Sequence, residues 1–292
     1  MGSTVRLQNM SSHEDARRWF AEDLRVAAPV INNDAIVEAF AAVPRERFLG
    51  PGPWHIHSRM WDVPPYRSCS DDARLLYHDV LVSIDNDRDL NNGLPSLWAY
   101  VFDHLNILPG ATVLQVGAGV GYFAAILAEL VSNGGSVIAY EIDPDLAERA
   151  KQNLEIYTQV EVRSGDATAP FDIPNVDAIV ACAGATHVPD HWLESLAIGG
   201  HMMLPLTASN HKGFMMLLNR QTDRFKASSL GSCGFYHCVG ARKETEEHAL
   251  QEALDALGGK APDLGSLHFA SDTRKPTNAW YVGEGFWISY QQ

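Results

Sequence analysis

From residue 112 to residue 206 the chain alternates short apolar runs with longer stretches whose apolar positions recur at helical intervals. The apolar runs predict strands near 112–116, 136–141, 159–163, 177–182 and 201–205, and the periodic stretches predict helices near 121–132, 144–154 and 189–197. Strands and helices in strict alternation imply right-handed crossovers, so the expectation is an α/β fold: a parallel sheet with helices on both faces. Ligands of such sheets sit above the carboxyl ends of the strands. Upstream, residues 11–29 start with Ser11 and Glu14 in capping-box spacing and carry Trp19, Phe20, Leu24 and Val26 at helical intervals. Further helices are predicted over 33–43 and 95–105, the last closed by the turn Leu108-Pro109-Gly110. The stretch from Gly50 to Ser68, rich in Pro, Gly, Trp and His, has no period and reads as an irregular covering segment. After Pro205, FMMLLNR, a polar turn and GFYHCVGAR suggest an antiparallel hairpin at the sheet edge. Residues 243–257 read as helix and AWYVGEGFWISY as one or two strands.

The first strand runs into three glycines, VLQVGAGVG, spaced G-x-G-x-G at Gly117, Gly119 and Gly121. Glycines here let a strand turn sharply into a helix and let Ala118 and its neighbours bring backbone N–H groups close to a nucleotide-like ligand. The second strand ends in Glu141, placed where a carboxylate accepts both hydroxyls of a ribose, and the third in Asp166, placed for an adenine amino group. Two ligand classes use such a set: dinucleotides and S-adenosylmethionine. The dinucleotide fingerprint wants G-x-G-x-x-G to seat a pyrophosphate, so the spacing here favours the methyl donor. No Tyr-x-x-x-Lys pair suited to hydride transfer is present.

Charge and cysteine usage narrow the partners. The formal net charge is −14, which repels nucleic acid, and no basic patch offsets it. Cys69, Cys182, Cys233 and Cys238 have no disulfide-framework density, and a reducing cytoplasm is expected. The N-terminal MGSTVRLQNM has no apolar signal core, Arg6 breaks the myristoylation pattern, and no apolar run is long enough to span a bilayer. His55, His57, His187 and His191 lack the helical frame of a metal site, so no metal is expected.

The chemistry-bearing candidates lie in two loops. His187, in AGATHVPDHW after the fourth strand, is the candidate base for a hydroxyl or amine acceptor, while an ionised carboxylate acceptor needs none. Asn91 and Asn92 can donate amide hydrogen bonds to a substrate carboxylate or carbonyl, and Ser96 can serve a cofactor carboxylate or cap its helix.

The order of VPRERF (Val43 to Phe48), a Pro-led helix, VLQVGAGVGYFAAILAEL, YEID, GDA and LAIGGHMMLPL resembles the protein-L-isoaspartate O-methyltransferase family of S-adenosylmethionine-dependent enzymes, from about Ile31 to about Arg242. The resemblance implies a Rossmann-like, seven-stranded class I methyltransferase sheet whose reversed last strand comes from the hairpin after Pro205. It also implies a cofactor site lined by Leu94, Pro95, Ser96, Trp98, Gly117, Val120, Glu141, Ile142, Asp166 and Ala167. On this reading residues 1–94 form a helical and loop cap, 95–242 the cofactor-binding domain and 243–292 a C-terminal extension. Where the family carries T-x-S-x-P at the acceptor site, this chain has Asn91-Asn92-Gly93-Leu94-Pro95, and Gln115 stands where the family usually has an acid. The expected function is O-methylation of a carboxylate in a peptide, protein or small molecule, by a monomer or homodimer. Methylation of a hydroxyl acceptor, a catalytically altered cofactor-binding scaffold and a dinucleotide oxidoreductase are the alternatives.

Overall fold

Helix α1 (His13–Ala27) opens with a reciprocal cap: the Ser12 hydroxyl accepts the Asp15 N–H at 3.1 Å while the Asp15 carboxylate accepts the Ser12 N–H at 3.0 Å. The capping box therefore lies one residue beyond the expected Ser11–Glu14 pair, and Ser11 falls outside the described residues. The computed structural model describes residues 12–27, 31–57, 63–169, 175–269 and 277–291, and the chain divides into two compact units, Met1–Asp103 and His104–Gln292.

In the first unit, α1 buries Phe20 and Leu24 but leaves Trp19 and Val26 exposed, so only half of the expected apolar set forms its packed face. Phe20 meets Phe40 of α2 (Asp34–Ala42) edge-on, with ring centroids 6.5 Å apart. After the short α3 (Glu46–Leu49), four strands, β1 (His55–His57), β2 (Tyr66–Arg67), β3 (Leu81–Asp85) and β4 (Leu90–Asn91), form an antiparallel sheet in the order β2-β1-β3-β4. Two of these lie inside the stretch expected to be irregular. Strands of two and three residues are too short to show a period. Beneath them Leu49, Trp54, Leu76 and Val82 form a small core. The fully buried Arg45 of the VPRERF segment donates to the carbonyls of Leu76, His78 and Val80, which satisfies loop oxygens cut off from water. Helix α4 (Pro95–Leu105) follows.

The second unit is built on a ten-stranded sheet. Strands β5 (Thr112–Val116), β6 (Ser136–Glu141), β7 (Val160–Ser164), β8 (Val176–Ala181) and β9 (Leu196–Thr207) are parallel in the order β7-β6-β5-β8-β9. Helices α5 (Tyr122–Val131), α6 (Pro144–Asn153) and α7 (Asp190–Ser195) connect them. Antiparallel to β9 runs β10 (Lys212–Arg220), and antiparallel to that β11 (Phe225–Gly234). The seven strands of the expected class I sheet are thus present, and β12 (Leu264–Phe269), β13 (Ala279–Val282) and β14 (Phe286–Tyr290) continue it beyond β11 in the order β12-β14-β13, with α8 (Glu244–Asp255) preceding them. One core, including Leu114, Ile138, Ile179, Met202, Phe214 and Tyr281, runs from the parallel strands into this C-terminal part.

Most boundaries fall within two residues of expectation, and the larger departures are in the hairpin and at the start of β9. The second hairpin strand is FKASSLGSCG rather than GFYHCVGAR. Its serines and glycines mimic a turn, and burial falls on only a few positions such as Ala227 and Leu230. Helix α7 stops at Ser195 instead of 197, because β9 starts at Leu196 and takes the following residues into the sheet. No helix among the described residues is long and apolar enough to cross a membrane.

Candidate active site

The carboxyl ends of β5, β6 and β7 bring the glycine turn and two acids to one edge of the second unit's sheet. At the end of β5, the N–H groups of Gly117 and Ala118 donate to the Tyr140 carbonyl at 2.8 and 2.9 Å. Gly117, Gly119 and Gly121 all have positive φ, at 81°, 57° and 92°. Left-handed backbone at alternate positions turns the chain within one step from strand to helix, and only glycine adopts it without strain. Gly121 is the N-cap of α5 and also lies against α6, where a Cβ would stand 2.7 Å from Leu154 Cδ1.

Glu141 is the organising side chain. Its Oε2 accepts the Gly119 N–H at 2.6 Å and its Oε1 the Asp143 N–H at 3.0 Å, so one carboxylate holds both strand-end turns. It is 7% exposed, and no cation pairs with it among the described residues. Burial raises its pKa above the usual glutamate value, against the opposing pull of the Asp143 and Gly119 N–H donors. Next to it Ile142 is exposed, an apolar surface at the mouth of β6, and Val120 is fully buried with its carbonyl bonded by Asn153 Nδ2 at 2.9 Å.

At the end of β7, Asp166 Oδ1 accepts the Thr168 N–H at 2.8 Å and the Thr168 hydroxyl at 2.7 Å. Gly240 packs on this turn so closely that a Cβ there would stand 2.7 Å from Asp166 Oδ2. The neighbouring Ala167 carbonyl accepts two donors from α7, Trp192 Nε1 at 2.8 Å and His191 Nε2 at 3.0 Å. His187 lies in the loop between β8 and α7, three residues before the helix that is tied to the Asp166 turn. In β5, Gln115 is buried and its Nε2 reaches Cys182 Sγ at 3.6 Å, while burial pushes the Cys182 thiol up to about 12.

His187 has a partner that no motif or spacing predicts: its Nδ1 lies 2.7 Å from Glu246 Oε2 on α8. The same oxygen accepts the Thr186 hydroxyl at 2.8 Å, and Glu246 Oε1 accepts the Glu284 N–H at 3.1 Å. Tyr281 OH closes the cluster on the Thr186 carbonyl at 3.0 Å. Burial raises the pKa of Glu246, which is 3% exposed at its side chain, but the donors from His187, Thr186 and Glu284 outweigh it and leave the carboxyl below the ordinary value.

The remaining candidates belong to the first unit, around β4 and the start of α4. Asn91 Oδ1 accepts the Gly93 N–H at 2.9 Å, a local turn in which Gly93 takes φ 76°. Asn92 is tied by its N–H to the Val82 carbonyl at 2.8 Å, and its buried Nδ2 has no hydrogen-bond partner among the described residues. Pro95 starts α4, and the Ser96 N–H is taken by Asp79 Oδ1 at 2.8 Å. Trp98 is buried and packs on Phe102, with ring centroids 5.9 Å apart.

Comparison with known proteins places this arrangement. Residues 21–243 match the family model described as protein-L-isoaspartate(D-aspartate) O-methyltransferase. A protein-L-isoaspartate O-methyltransferase of Gloeobacter violaceus is 34% identical over 198 residues, covering 65% of this chain and 82% of that protein. One from Protochlamydia amoebophila is 32% identical over 225 residues, covering 74% and 93%. Among solved structures, a protein-L-isoaspartate O-methyltransferase superposes with a TM-score of 0.62 at 18% identity over 96% of this chain and 88% of that one. A protein from Plasmodium falciparum, described as a putative protein-L-isoaspartate O-methyltransferase in complex with S-adenosyl-L-homocysteine, superposes with a TM-score of 0.60 at 17% identity over 77% and 98%. At such identities the superpositions establish the class I methyltransferase fold.

Proposed function

The chain belongs to the protein-L-isoaspartate O-methyltransferase family, and from that premise we propose that it is an enzyme transferring the methyl group of S-adenosyl-L-methionine to a carboxylate of a peptide or protein. One observation carries the cofactor assignment: Glu141, buried and without a cationic partner among the described residues, stands at the end of β6 against the glycine turn of β5. Its Oε2 accepts the Gly119 N–H and its Oε1 the Asp143 N–H, and lone pairs on both oxygens remain for the two hydroxyls of a ribose. Gly117 and Gly119, both at positive φ, keep the facing turn free of side chains. The residues present fit the group.

On this reading Glu141 holds the ribose, Asp166 and the backbone at Ala167 address the adenine, and exposed Ile142 with buried Val120 and Ala118 give the base an apolar seat. Pro95, Ser96 and Trp98 remain proposed cofactor contacts, and Asn91 and Asn92 proposed acceptor contacts, with the unpartnered Nδ2 of Asn92 the donor best suited to an acceptor oxygen. When bound, S-adenosyl-L-methionine supplies a methyl carbon activated by a sulfonium. The protein's share of the rate is then positioning, for which holding two reactants in line is worth about 7 to 11 kcal/mol at most. A carboxylate acceptor arrives already nucleophilic, so no residue has to remove a proton from it. The four cysteines are free, in keeping with the proposed cytoplasmic setting.

The test is incubation of the full chain with isotopically labelled S-adenosyl-L-methionine and paired peptides that differ only in an isoaspartyl or aspartyl linkage. Base-labile label on the isoaspartyl peptide is expected. Cofactor binding with no transfer to any peptide would leave a scaffold, and base-stable label would mean a hydroxyl or amine acceptor.

A further inference from the structure

An anionic acceptor approaching a chain of formal net charge −14 gains nothing at long range, so a carboxylate has to be attracted by a local positive group. His187 sits in the loop at the carboxyl end of β8, linked to the Asp166–Ala167 turn through His191 and Trp192. Its Nδ1 is held at 2.7 Å by Glu246, a carboxylate that only accepts hydrogen bonds, so the ring is fixed with a proton on Nδ1. The opposite nitrogen, Nε2, has no hydrogen-bond partner among the described residues, and the side chain is 17% exposed. We propose that His187 and Glu246 form a dyad in which Nε2 of His187, as imidazolium, anchors the acceptor carboxylate, with Glu246 as the positioning residue. This inference rests on the methyltransferase reading and deepens it: it assigns the group that recognises the anionic acceptor.

Glu246 lies on α8, Glu284 between β13 and β14, and Asp190 at the start of α7. Of the neighbouring cations, Arg242 pairs with Glu247 at 2.7 Å, and Lys243 pairs with Glu284 at 2.7 Å and stands 3.9 Å from Glu246 Oε1, the oxygen that faces away from His187. Thr186 and Tyr281 add neutral hydroxyls that brace the carboxylate and its loop. A charged imidazole here is offset by Glu246 at one nitrogen and by the acceptor at the other, each bond charge-assisted. Glu246 lies beyond residue 243, where the match to the family model ends, so the C-terminal part of the chain supplies the positioning half of the dyad.

H187Q and E246Q in the full chain, assayed with an isoaspartyl peptide between about pH 5.5 and about pH 9, test this with KM and kcat separated. For the wild type the acceptor KM is expected to rise with pH while kcat changes little. E246Q should raise KM about tenfold while leaving kcat near the wild-type value, and H187Q should remove the pH response of KM. Both should leave S-adenosyl-L-homocysteine affinity in calorimetry unchanged. An unchanged KM in H187Q overturns the proposal, as does a kcat that rises over the same pH range, which marks a general base, or an E246Q that lowers only Tm. Should the wild type transfer no methyl at all, the proposed function falls separately. Titration of the peptide onto protein loaded with S-adenosyl-L-homocysteine then decides the anchor: binding that strengthens at low pH and loses that response in H187Q supports it, and binding indifferent to pH overturns it.

Discussion

The Gly119 N–H donates to Glu141 Oε2 at 2.6 Å, across the gap between the ends of two neighbouring parallel strands. One carboxylate thereby sets the conformation of the glycine turn and keeps lone pairs for a ligand, so shape and recognition at this edge depend on the same side chain. Replacing it tests both. Glu141→Ala should weaken S-adenosyl-L-homocysteine binding by about 1.5 to 3 kcal/mol, the range for hydrogen bonds to a charged group, and Glu141→Gln, which keeps one acceptor oxygen, by less. Unaltered affinity of the alanine variant in calorimetry removes Glu141 from the site.

Burial raises the Glu141 pKa, so its ionised form is disfavoured in the free protein. A ribose donating two hydrogen bonds favours that form again. Cofactor binding should then release protons, and affinity should fall as pH drops through the raised pKa of the free protein. Calorimetry in buffers of different ionisation enthalpy reads the released protons directly. Equal apparent enthalpies in all buffers at mildly acidic pH would contradict the assignment.

Glu246 has the opposite sign. Its carboxyl is held below the ordinary glutamate value, so its contribution to stability is present above the unfolded-state pKa and is lost as pH falls through the folded-state one. Glu141, with its raised pKa, contributes most below the unfolded-state value and loses that contribution as pH rises through the folded-state one. Thermal melts of wild type and E246Q should therefore converge as the solution is acidified below the ordinary glutamate range and separate again toward neutrality. Curves that stay parallel at every pH would show that the buried carboxylate adds nothing through its charge.

How much of this was legible in the sequence depends on range. Gly117, Glu141 and Asp166 announce themselves because each ends a strand whose apolar run is visible, and chain order in a parallel α/β fold puts strand ends on one edge. The Glu246 contact with His187 spans 59 positions and has no spacing rule. One of three glutamates in the first turn of a helix looks like ordinary dipole chemistry, and only the packing of α8 turns Glu246 inward. The strand β11 was hidden for a related reason. Its residues are small and polar, and the sheet on both sides rather than its own hydrophobicity makes it a strand. Asn91 shows the reverse case, since its turn with Gly93 follows from local chemistry.

Gly121 offers the sharpest separation of fold from ligand chemistry. It has φ 92° as the N-cap of α5, and an added Cβ would stand 2.7 Å from Leu154 Cδ1 and 3.5 Å from Ala150 Cα. Gly121→Ala must therefore hold an L-residue in left-handed backbone and also push Leu154 away from α5. Left-handed strain alone costs about 1 to 3 kcal/mol. The expected outcome is a lower Tm with the α/β far-ultraviolet signal intact, and cofactor affinity reduced because the α5 N-terminus and the Gly119 N–H shift together. Leu154→Ala in the same chain should return part of the lost Tm by clearing the contact. If the double variant is no more stable than the sum of the two single losses, the contact with Leu154 is not what requires glycine here, and backbone conformation alone explains it.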